Sequence, residues 1–199
     1  RILGIIVGAL AAIVVVLILG VVVNAQRQLG ARYNNPVVEV NVARTPDQVT
    51  RGAYLVATFG GCVGCHSTNL TAAPPILEGG HMDDLAALGD FNPPNLTPAG
   101  PIKDWSDGQL IRAIREGIDN EGRPLMIMPS EDFKNLSDAD VQAIVAYIRT
   151  MPPVQKDSPG VHPSFLGTML LGTGQVTTAR QEPVGNVSGP PRGPTAAYG

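Results

Sequence analysis

Cysteine is nearly absent: the 199 residues hold two, Cys62 and Cys65, three positions apart. The disulfide framework that staples many small secreted domains is therefore excluded. A structural zinc site would lack a second ligand pair. Aromatic residues amount to only 5%, with a single tryptophan, and charged residues to 16% with a net charge of −3. That sign of charge disfavours nucleic acid as a partner. No internal repeat is visible, and the central part of the chain shows no alternating run of the kind a half-buried strand needs.

What is present is concentrated. Both cysteines fall in Cys62-Val63-Gly64-Cys65-His66, a C-x-x-C-H run of the type that attaches haem c. Two thiols with two residues between them can reach both vinyl groups of one porphyrin, and the next residue, His66, then lies under the iron as its proximal ligand. A redox dithiol would need a βαβ context, which the pattern does not offer. One covalent haem c is the expected cofactor.

A second feature is Ile2–Val23, 22 residues with no charge and no proline. At about 1.5 Å per residue such a helix spans the ~30 Å hydrocarbon core of a bilayer. Val23-Asn24-Ala25 would pass as a weak cleavage site, but signal-peptide apolar cores are shorter, about 7–15 residues. An uncleaved anchor in the cytoplasmic membrane is expected, contacting lipid. Haem c is attached outside that membrane in bacteria, so the chain beyond Ala25 is expected on the periplasmic side. Flanking charges do not decide orientation, because Arg1 precedes the run while Arg27 and Arg32 follow it. A further basic segment ahead of Arg1 would remove that conflict.

Composition divides the chain into an anchor (1–25), a linker (26–45), a compact domain (46–153) and a tail (154–199) rich in proline and glycine. The tail alone cannot build a core. It needs a surface to lie on, either the compact domain or neighbouring subunits; its apolar cluster, Phe165, Leu166, Met169 and Leu170, is the natural point of attachment, and docking on partner subunits of a larger membrane complex is expected. Residues 46–153 hold seven Lys and Arg against fourteen Asp and Glu. Such an acidic head suits a redox partner that presents a basic patch.

Three helices are expected in the compact domain. The first covers about 47–58. The second starts from a capping box at Ser106-Asp107-Gly108-Gln109 and stops at Gly117. The third starts from Ser137-Asp138-Ala139-Asp140, carries Val141, Ile144, Val145 and Ile148 at helical spacing, and ends before Pro152. The fold class is all-α.

Several of these segments occur in an order that resembles the class I cytochromes c. Arg51-Gly52-Ala53-Tyr54-Leu55 precedes the C-x-x-C-H run. Asn95-Leu96-Thr97-Pro98, Trp105-Ser106-Asp107, Met128-Pro129, Leu136-Ser137-Asp138 and Tyr147 follow it. The resemblance implies a haem domain in which the first and last helices cross near Gly52 and Tyr147. It implies Met128 as sixth iron ligand. Among the other candidates, Met126 fits on spacing alone, and Met82, Met151, His81 and His162 remain. It further implies a proline carbonyl, from Pro74 or Pro75, as acceptor for the second nitrogen of His66. Asn95 and Trp105 are implied at the haem edge and propionates, and Arg123 is a further propionate candidate. A closed His/Met iron suits electron transfer rather than catalysis.

The resemblance is nearest to membrane-anchored cytochrome subunits of bacterial respiratory and dehydrogenase complexes. It implies partner subunits in a membrane oxidoreductase. One expectation is a quinol-oxidising assembly like alternative complex III. The other is an electron-entry subunit of a terminal reductase or dehydrogenase complex.

Overall fold

A computed structural model describes residues 1–58, 61–190, 193 and 195. The chain is mostly helical. The long α1 (Ile2–Gly30) leads through an extended linker into α2 (Pro46–Thr58), and the short α3 (Cys62–His66) follows. A loop region carrying the two-stranded element's first strand, β1 (Gly89–Asn92), connects to α4 (Asp107–Glu116), α5 (Ser130–Phe133) and α6 (Asp138–Thr150). The tail adds β2 (Gly160–Pro163) and α7 (Phe165–Gly172).

The helix boundaries have local causes. Ser106 Oγ accepts from the Gln109 amide at 3.1 Å while Gln109 Oε1 accepts from the Ser106 amide at 2.7 Å. That reciprocal box satisfies two donors that a helix start leaves unpaired. α4 stops at Gly117, whose φ of 62° is left-handed. α6 opens on Ser137, whose hydroxyl accepts from the Asp140 amide at 3.1 Å, and stops where Met151 turns extended before Pro152.

The core lies where α2 meets α6, with Leu55 and Val56 against Ala143, Ile144, Val145 and Ile148. The crossing is as close as backbone allows. A Cβ on Gly52 would lie 1.9 Å from the Ala143 carbonyl oxygen and 2.7 Å from Tyr147 Cβ. Tyr147 buries its ring, and its hydroxyl donates to the Pro75 carbonyl. The expected crossing of first and last domain helices at Gly52 and Tyr147 is therefore present.

The tail is less irregular than its composition suggests. It lies on its own chain. β2 pairs antiparallel with β1, Phe91 opposite Val161, so a short sheet forms that the all-α pattern did not contain. Further on, Ala179 and Gln181 donate their amides to the carbonyls of Leu125 and Glu116, each at 2.8 Å. At Val187 the tail meets the start of α6, where the Asp138 amide donates to the Val187 carbonyl and the Val187 amide to the Asp138 carboxylate.

Linker and tail together cover the polar side of α4. Arg112 donates to the Asn35 carbonyl at 3.0 Å, and Asn35 Nδ2 donates to Glu116 Oε2 at 2.6 Å. Glu116 Oε1 accepts from the Val184 amide at 2.9 Å. Buried charges persist only when paired or hydrogen-bonded, and here the flanking segments provide the partners.

α1 is longer than the expected 1–25 and ends at Gly30. It is long and apolar enough to cross a membrane, and Ile2 and Leu3 are 76% and 74% exposed. Gly52→Ala should push α2 from α6 and lower unfolding free energy by about 1–3 kcal/mol, read as a lower guanidinium midpoint. An unchanged midpoint would show that the crossing relaxes freely.

Candidate functional site

α3 consists of the C-x-x-C-H run itself. It begins after Gly61 at φ 56° and ends at Ser67, which is extended. Cys62 and Cys65 stand one helical turn apart, half-buried and not disulfide-bonded. Burial pushes the Cys62 thiol up to about 11 and raises Cys65 as well, so both are held as neutral thiols. Among the described residues, no group of three or more His, Cys, Asp or Glu side chains converges, so the pair has no such cluster to complete.

His66 is buried, and its Nδ1 lies 2.9 Å from the Pro94 carbonyl oxygen. A carbonyl can only accept, so Nδ1 carries the proton and Nε2 keeps its lone pair. Burial lowers the pKa of the ring against the opposing pull of the Pro94 contact. A neutral imidazole with a fixed tautomer is what iron ligation requires. The acceptor is Pro94, which corrects the expectation of Pro74 or Pro75. Pro75 instead accepts from Tyr147. The chain runs 28 residues past His66 before returning, beyond the short span over which the resemblance was read. The Pro93-Pro94 pair was the available signal.

Two glycines missed from sequence hold the same turn. The Gly79 amide donates to the His66 carbonyl at 2.7 Å, and a Cβ on Gly80 would lie 2.0 Å from the Cys65 carbonyl oxygen. Glu78 beside them accepts from both the amide and hydroxyl of Thr68. Its slight burial would raise the carboxyl, but these bonds, with Lys156 nearby, hold it below the usual range. The adjacent Gly-Gly dipeptide was the legible hint.

The sixth-ligand candidates separate. Met128 is half-buried and packs against the main core cluster. Met126 pairs its backbone with Thr178 of the tail. Between them Ile127 has φ 64°, a left-handed conformation costly for a β-branched residue. That kink breaks the two-residue repeat that would otherwise set both methionines alike. Met151 is buried in the core. His81 is exposed, its ring nitrogens occupied by Asn92 at 2.9 Å, Asp83 at 3.3 Å and Asp90 at 3.4 Å. The hydrogen bond to Asn92 and the two carboxylates raise its pKa. His162 is exposed and contacts the Pro159 carbonyl.

Asn95 does a different job from the one expected. It is fully buried, with Oδ1 accepting from the amide and hydroxyl of Thr97, and Nδ2 donating to the carbonyls of Val154 and Lys156. Two lone pairs and two N–H groups are all that an amide has, so nothing remains for a propionate. Asn95 ties the tail to the loop that carries Pro94. Trp105 is half-buried beside an open cavity of about 470 Å³ that Arg44, Lys103 and Arg149 also line. Arg123 pairs with Asp119 at 2.8 Å and Glu121 at 3.5 Å, which leaves the propionate expectation without support.

The family model for cytochrome c matches residues 49–152. A nicotinate dehydrogenase subunit of Pseudomonas putida is 36% identical over 107 residues, 52% of this chain and 9% of that protein. The fructose dehydrogenase cytochrome subunit of Gluconobacter japonicus is 32% identical over 112 residues, 53% and 22% of the two chains. The cytochrome c subunit of alcohol dehydrogenase (quinone) from Gluconobacter oxydans is 30% identical over 102 residues, 50% and 20%. The chain spans less than a quarter of the length of each of these relatives.

Asn95→Ala would remove the Asn95 partners of the Lys156 carbonyl and the Thr97 amide and leave the Val154 carbonyl with only its 3.4 Å contact from the Thr97 hydroxyl. A loss of about 2–4 kcal/mol is expected from unsatisfied groups, with faster proteolysis of the tail and unchanged visible absorption. A moved reduction potential with unchanged stability would return Asn95 to the haem edge.

Proposed function

The chain belongs to the cytochrome c family, and we propose that it is the anchored electron-relay subunit of a membrane dehydrogenase complex. One covalent haem c, implied by the family and matched by one C-x-x-C-H run, supplies reversible one-electron exchange at iron. The observation that carries the proposal is α3 itself, two thiols one helical turn apart beside a buried imidazole held through Nδ1, inside a domain whose relatives are named as dehydrogenase subunits.

In this reading Cys62 and Cys65 hold the porphyrin by thioether bonds and His66 ligates through Nε2. Pro94 fixes the ring and Met128 supplies the distal sulfur. A thioether favours ferrous iron and raises the potential. Trp105 stays the candidate for the haem edge. Residues 46–153 are the haem unit, and the tail from 154 holds that unit in place. α1 anchors it, with the haem unit on the periplasmic side. The fold supports an uncleaved anchor, because Ala25 is fully buried and Asn24 and Gln28 donate to carbonyls of α7.

The relatives favour a dehydrogenase partner over the quinol-oxidising assembly also expected from the sequence. Native extraction decides between them. Co-purification with a large dehydrogenase subunit, and haem reduction when that subunit receives its substrate, is the expected result. Co-purification with a multihaem cytochrome and an iron–sulfur protein, with reduction by menaquinol, would replace it with the quinol reading. The acidic haem unit should make partner reduction slow as salt rises.

Ligand assignments have their own test. Cys62→Ser or Cys65→Ser should weaken covalent haem retention on denaturing gels. Met128→Leu should abolish the thioether-to-iron charge-transfer band and lower the potential. Should the band survive, and vanish instead in Met126→Leu, the ligand lies two residues earlier.

A further inference from the structure

From Ser158 to Ala179 the tail has 22 residues without Asp, Glu, Lys or Arg. α7 lies in the middle of this stretch. Phe165 and Leu166 are 66% and 49% exposed, and Met169 and Leu170 remain half-exposed beside them. A folded domain with this many apolar side chains facing outward on one short helix has something covering them.

Position identifies the cover. The buried end of α7 rests on α1: a Cβ on Gly172 would lie 2.2 Å from the Val21 carbonyl oxygen. Val21 belongs to the uncharged run Ile2–Val23, so this end of α7 stands level with the last apolar turn of the anchor. The opposite end is fixed to the haem unit. Ser164 donates its amide to the Leu88 carbonyl at 2.8 Å and its hydroxyl to the Ala87 carbonyl at 2.9 Å.

Hydrogen bonding points the same way. The last four carbonyls of a helix have no partner within it, and out of water each unpaired one costs several kcal/mol. In α7 all four are satisfied by protein. Met169 accepts from the Thr173 amide at 3.0 Å and Leu170 from the Gln175 amide at 2.9 Å. Leu171 accepts from the Gly174 amide at 3.0 Å and Gln28 Nε2 at 3.0 Å, and Gly172 from Asn24 Nδ2 at 2.8 Å. Asn24 and Gln28, one turn apart on α1, cap a neighbouring helix end that water need not reach.

We infer that α7 is a second membrane-contacting element, lying in the interfacial layer of the bilayer with Phe165, Leu166, Met169 and Leu170 among the lipid chains. Fastened to α1 at one end and to the haem unit at the other, it fixes the height and tilt of the haem unit above the membrane. The inference rests on α1 spanning the bilayer.

The test uses the full haem-loaded chain in phosphatidylcholine–phosphatidylglycerol vesicles. With Cys62 and Cys65 consumed by thioether bonds, an introduced cysteine takes a single nitroxide. Labels go at Phe165→Cys and Leu166→Cys, with Val15→Cys as the lipid reference and Ser188→Cys as the water reference. Collision with oxygen relative to a nickel chelate reads the surroundings. The expected ratio at 165 and 166 is several-fold above that at 188 and approaches that at 15. A ratio equal to that at 188 overturns the inference, as does shielding from both reagents, which would mean a protein cover. If the label at 15 reads as water, the spanning reading of α1 itself falls, and the inference with it.

Discussion

The 2.9 Å contact between His66 Nδ1 and the Pro94 carbonyl is the constraint from which the remaining architecture follows. It settles the tautomer of a buried imidazole, and it requires the chain to travel out and back between residues 66 and 94. The returning loop needs support of its own. Asn95, next in sequence, spends its whole amide on Thr97 and on the carbonyls of Val154 and Lys156. Lys156 in turn donates to the Gly79 carbonyl at 2.6 Å, and the Gly79 amide holds His66. The support of the ligand is thus a closed ring of contacts that includes the tail.

That ring extends to α1. β2 adds to β1, Ser164 fastens the start of α7 to the loop before β1, and Asn24 and Gln28 fasten its end to α1. A second path runs through α4, whose buried Arg112 and Glu116 are partnered by the linker and the tail. Two connections from different sides restrict the haem unit more than one flexible linker would. For an electron relay this matters, since a fixed orientation limits the distances over which donor and acceptor must reach.

Much of the domain was legible because its signals are local. The boxes at Ser106 and Ser137, the stops at Gly117 and Met151, and the periodicity of Val141, Ile144, Val145 and Ile148 all act within one or two turns. The sequence pattern of Gly52 and Tyr147 was also readable through resemblance, and the close crossing has a simple steric cause. The acceptors of Asn95 Nδ2 and of His66 were not legible because they lie 28 to 61 residues away. No local rule says where a loop of that length returns.

Composition was least informative in the tail. Abundant proline and glycine preclude an independent core, which is correct, but they do not preclude borrowing one. The edge of β1, the carbonyls of Ala87 and Leu88 and the side of α1 offer the tail a ready surface. By itself, then, the sequence determined the haem attachment run, an apolar helix long enough to cross a membrane and the helices of the domain, because each depends on neighbours a few residues apart. Only the tertiary structure decided which carbonyl orients His66, that Met126 pairs with Thr178 while Met128 packs on the core, and where the tail lies. Those outcomes depend on groups distant in sequence whose hydrogen bonds and close contacts exist only after the chain has closed on itself.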